Sequence, residues 1–195
     1  MDKISGTQIN DNLTIFCGGQ SGTWKVLSLH TIIGQPLESV NRIEIVNARQ
    51  FTDTTNYKWL LRGVTSNLRY TTRDEKVILD KTPSILDKPQ STYSVLIPIK
   101  KSNEWWSLTQ DERRKIFEDK SHHISFSSKY LSVVARKLYH SKDIGEEFDF
   151  LTWFEFAPEH SNQFDELVNY LRGTEEWKYV TREIDIRLMR DNSDK

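Results

Sequence analysis

The chain has 195 residues, enough for one large domain or two small ones with a sizeable buried core. Its formal net charge is -1 with 28% charged residues, a balance that argues against nucleic acid or an anionic membrane as the main partner. The single cysteine, Cys17, excludes an intrachain disulfide and any cysteine-rich metal centre.

Met1 to Gly6 is polar and lacks the apolar segment of a secretory signal. No run approaches the ~18 apolar residues of a membrane-spanning helix. The expectation is a cytoplasmic protein with a disordered tail over residues 1–12. Leu13 to Cys17, closed by Gly18-Gly19, reads as a strand and turn, and Trp24 to Leu29 as a second strand. Pro36 to Val40 is expected to open a short helix, and Lys58 to Val64 to form a strand. Residues 81–90, with Pro83 and Pro89, read as a connector, followed by the strongly β-prone stretch Tyr93 to Lys100.

Thr109-Gln110-Asp111-Glu112 fits a capping box, in which hydroxyl and carboxylate satisfy the free N–H groups of a helix start; the helix should run to about Lys120. Ser125, Ser127 and Ser128 weaken helix propensity before a second helical run. Leu131, Val134, Ala135 and Leu138 then fall at i, i+3, i+4 and i+7, which predicts a second amphipathic helix. Phe148 to Phe156 has two largely apolar faces and reads as a central strand. Phe164, Leu167, Val168 and Leu171 make another helical stripe, capped by Gly173. In Val180 to Leu188, Ile184, Ile186 and Leu188 should face inward, and Glu183, Asp185 and Arg187 should face solvent. These elements predict an α+β protein with helices packed on an antiparallel sheet.

Five histidines are present: His30, His122, His123, His140 and His160. None is spaced as a helical metal pair, and neighbours on a helix point ~100° apart, so zinc is poorly supported. One histidine alone is what the proximal side of a five-coordinate haem needs.

Taken in order, Trp105-Trp106, Ser121-His122-His123, Arg136-Lys137-Leu138-Tyr139-His140, Phe148 to Phe156, Thr174-Glu175-Glu176-Trp177 and Arg182 to Leu188 resemble the chlorite dismutase family of haem b proteins. The resemblance implies two ferredoxin-like halves forming a dimeric α/β barrel, with a shortened half over 13–90 and the haem-binding half over 91–190. It implies a short-chain type that assembles as a homodimer. In the family the axial histidine lies thirteen positions before the distal arginine, which gives His123 for Arg136 and leaves His122 as the alternative. Along one helix that spacing would rise ~20 Å and turn ~220°, so a bend is expected near 125–128.

By the same resemblance Arg136 is the catalytic arginine, a guanidinium that attracts the chlorite anion and retains hypochlorite. Glu176 matches the carboxylate that accepts the ligand's Nδ1–H. Lys101, Trp105 and Tyr70 match residues bordering the cofactor, with Asn67 and Arg69 beside Tyr70. The implied function is conversion of chlorite to chloride and molecular oxygen. The alternatives are a coproheme decarboxylase-like enzyme, whose members usually carry an uncharged residue in place of Arg136, and a non-catalytic haem carrier or sensor.

Overall fold

The computed structural model describes residues 12–52, 56–65, 72–74, 76–77 and 86–191. The expected tail, apart from Asn12, and the candidates Asn67, Arg69 and Tyr70 lie outside the described residues.

Eight strands, β1 Leu13–Gly19, β2 Trp24–Ile33, β3 Arg42–Asn47, β4 Tyr57–Thr65, β5 Tyr93–Lys101, β6 Val134–His140, β7 Phe150–Phe156 and β8 Val180–Arg190, form a closed barrel in the order β1-β3-β2-β8-β5-β7-β6-β4. Every pairing is antiparallel. Within the order, β4-β1-β3-β2 and β8-β5-β7-β6 each run fourth, first, third, second, the ferredoxin-like sequence of strands. The helices α1 Asn103–Ser107, α2 Gln110–Arg114, α3 His123–Ser127 and α4 Ser161–Arg172 belong to the second set. Among the described residues no helix is long and apolar enough to cross a membrane.

Two cores follow from the alternation of side chains on the strands. Phe16, Trp24, Leu96, Trp153, Ile184 and Ile186 fill the barrel lumen, where Trp24 meets Trp153 edge-on with ring centroids 5.1 Å apart. On the outer face, Ile97, Phe154 and Phe156 pack against Phe164, Leu167 and Val168 of α4. Gly18 is required by close approach: a Cβ there would lie 2.2 Å from the Trp59 ring.

The expected strands and the α4 stripe are present, and β7 lies between β5 and β6 with all seven residues buried. Thr109 and Glu112 form the capping box, the Thr109 N–H donating to Glu112 Oε2 at 2.7 Å, and the helix continues as a π turn over Lys115–Lys120.

Three expectations are corrected. Residues 36–40 form no helix. Val134 to His140 is strand β6, because its backbone completes ladders with β4 and β7 that a helix could not supply. The charged side of β8 is not solvated. Glu183 is fully buried and Asp185 nearly so, because α4 covers them and supplies Arg172, whose Nη2 lies 2.6 Å from Glu183 and 2.9 Å from Asp185.

Candidate functional site

A cavity opens between the outer face of β5, β6 and β7 and the helices α3 and α4, with about 1290 Å³ of empty space including its mouth. Its walls are mostly apolar: Ile97, Leu138, Phe154, Leu167 and Leu171 are representative. The polar groups that reach it come from separate elements, which accounts for their scatter in the sequence.

His123 begins α3. The residue before it, His122, adopts the left-handed conformation with φ 49° and ψ 34°, uncommon for a residue with a side chain. This turn separates the two neighbours: His122 is exposed, while His123 lines the cavity. Phe117 stacks on the His123 ring with centroids 4.2 Å apart, and Glu118 caps α3 by accepting the Ile124 N–H at 2.6 Å.

Behind His123 stands Glu176. Its Oε2 lies 2.6 Å from His123 Nδ1 and its Oε1 lies 2.5 Å from Lys101 Nζ. Burial alone would raise the Glu176 carboxyl, but the charges and hydrogen bonds of Lys101 and His123 outweigh it and bring it down to about 2. The carboxylate is therefore ionised and accepts the Nδ1 proton, which leaves Nε2 as the ring nitrogen free to face the cavity. Lys101 Nζ also rests 3.9 Å from the centroid of the fully buried Trp105 ring.

Arg136 comes from β6. Arg136, Leu138 and His140 alternate onto the cavity side of that strand. Arg136 is surrounded by protein, yet its side chain is exposed through the open cavity it lines, and among the described residues its guanidinium has no hydrogen-bond or ion-pair partner. Burial lowers its pKa from the ordinary arginine value, opposed by the charge of Glu176. A guanidinium stays protonated under such burial, so it offers a fixed cation to an incoming anion.

The structure thus brings His123, Glu176, Lys101, Trp105 and Arg136 to one cavity; Tyr70 lies outside the described residues. The bend expected near 125–128 is the change from α3, through a 3-10 turn over Ser128–Tyr130, into β6. Sequence reasoning missed His140 and Phe117. His140 could have been found at i+4 from Arg136 once β6 was read as a strand; Phe117 carried no signal.

Among the described residues no group of three or more His, Cys, Asp or Glu side chains could hold a metal ion. A single imidazole nitrogen, apolar walls and a lone guanidinium suit instead a flat group that brings its other metal ligands with it.

Comparison with known proteins identifies the family. The family model described as chlorite dismutase matches residues 27–190. The chlorite dismutase of Ideonella dechloratans is 34% identical over 126 residues, covering 63% of this chain and 41% of that protein, so less than half of its length is matched. The dimeric chlorite dismutase of Nitrobacter winogradskyi is 52% identical, with a TM-score of 0.83 over 91% of this chain and 99% of that one. The chlorite dismutase of Candidatus Nitrospira defluvii in complex with imidazole shares the fold at 22% identity, with a TM-score of 0.67 over 92% of this chain and 91% of that one.

Proposed function

The chain belongs to the chlorite dismutase family, and from that premise we propose that it is a haem b enzyme converting chlorite to chloride and molecular oxygen. The observation that carries the reading is the pairing, in one apolar cavity, of a carboxylate-backed histidine with an arginine that has no partner among the described residues. These residues fit haem b: the cavity has apolar walls for a macrocycle, and His123 has one ring nitrogen to give. The cofactor-binding half is taken as residues 91–190, and the working assembly as a homodimer.

Bound haem would supply the metal centre and the change of oxidation state that cleaving a Cl–O bond demands. His123 would hold it through Nε2. Glu176 accepts the Nδ1 proton, fixes the tautomer and makes the imidazole more electron-rich. Lys101 neutralises the buried Glu176 and keeps its carboxylate turned toward His123. Arg136 would draw the chlorite anion into the cavity and hold an oxyanion there through its planar guanidinium. The apolar walls exclude water and so strengthen the hold of Arg136 on its anion.

The test is oxygen evolution from chlorite by the haem-loaded protein. Arg136→Ala should lower catalytic efficiency roughly ten- to a thousandfold and speed haem bleaching, while Arg136→Lys keeps part of the activity. Oxygen evolution by Arg136→Ala at the unmodified rate, with no added bleaching, would overturn the assignment. Turnover of coproheme without oxygen from chlorite would point to the decarboxylase instead.

A further inference from the structure

His123 and Glu176 lie 53 residues apart, and the distance between them decides how strongly the carboxylate acts on the imidazole. The side-chain bonds of Glu176 to His123 and Lys101 hold its carboxylate, and its main chain opens the 3-10 turn Glu176–Tyr179, where the Trp177 N–H donates to the Thr174 carbonyl at 3.2 Å.

A further contact ties this turn to the segment that carries His123. The Glu176 backbone N–H donates to Ser121 Oγ at 3.0 Å, inside the protein. Ser121 is only 1% exposed and stands two residues before His123. Its own carbonyl accepts the Tyr170 hydroxyl of α4 at 3.3 Å. The left-handed His122 then turns the chain, so that Ser121 faces Glu176 while His123 enters α3. The backbone segments carrying imidazole and carboxylate are therefore tied through one hydroxyl.

We propose that Ser121 is a positioning residue of the site: by accepting the Glu176 N–H it sets the separation of Glu176 and His123, and through it the electron density that His123 delivers to a bound metal. The proposal rests on the reading of His123 as the haem ligand.

The experiment compares the haem-loaded protein with Ser121→Ala and with Ser121→Cys, whose sulfur is a weaker acceptor. In the ferrous state the iron–histidine stretch, read by resonance Raman, should move to lower frequency in Ser121→Ala and by an intermediate amount in Ser121→Cys. The ferric/ferrous potential should rise in the same order. Turnover should fall about ten- to a hundredfold in kcat, with KM for chlorite unchanged because Arg136 is untouched. A merely structural serine would reduce the fraction of protein carrying haem but leave the stretch and the potential of the loaded fraction where they were. That result overturns the proposal. Should neither variant take up haem, amide exchange at Glu176 in the unloaded proteins decides: faster exchange in both supports the tie, and unchanged exchange overturns it. Unmodified protein lacking the iron–histidine band, or His123→Ala keeping it, would overturn the ligand assignment itself, an outcome distinct from a band that is present and does not move in the Ser121 variants.

Discussion

His122 and His123 are neighbours in sequence and opposites in circumstance. One is exposed in a left-handed turn; the other lines the cavity with Nδ1 committed to Glu176. His123→Ala should therefore abolish stoichiometric haem binding, and His122→Ala should preserve it. Loss of haem from His122→Ala alone, seen in a Soret titration, would shift the ligand by one residue. Cys17 is the opposite kind of polar group, buried with no access to solvent. Burial first, then the charge of Glu44, push its thiol up to about 11 against the pull of Arg62. At pH 8 about one thiol in a thousand is ionised, so a disulfide reagent should label Cys17 only after unfolding. The folded pKa lies above the ~8.5 of a free thiol. The stability this confers is thus complete below that value and is lost as pH rises toward 11, where the unfolded chain has already released the proton. Rapid labelling of the native protein at pH 8 would contradict this.

At the scale of elements, the parts legible in the sequence are those with one uniform face. The α4 stripe of Phe164, Leu167, Val168 and Leu171 could be read because a single side is apolar and packs on the sheet. β6 could not, because its outer face lines a cavity: Arg136 and His140 stand there with Val134 and Leu138, which breaks the alternation of an ordinary strand and leaves a chance helical spacing. The site residues themselves were legible only through the resemblance, since nothing local distinguishes Glu176 from Glu175. β8 misled for another reason. A row of Glu183, Asp185 and Arg187 looks the same whether water or a helix covers it, and here α4 supplies Arg172 as the counter-charge. Removing that partner leaves a fully buried carboxylate held, among the described residues, by Trp177 Nε1 at 2.7 Å. Arg172→Met should then cost about 3–5 kcal/mol in urea unfolding. A loss well under 1 kcal/mol would mean that the pair contributes little net stability.

At the scale of the molecule, the barrel closes on itself within one chain, with two ferredoxin-like strand orders side by side. The proposed homodimer should appear as a mass of two chains, about 46 kDa from the 23.0 kDa protomer, in light scattering. A mass near five chains would contradict it. The placement of the cavity has a further consequence. The lumen is packed by its own aromatic side chains, and the cavity proposed for the cofactor lies outside it, under α3 and α4. Nothing in the lumen waits for the cofactor to complete it. The order of events in synthesis follows: the chain can finish its barrel with this cavity still empty, and filling is a later step on a scaffold that is already built.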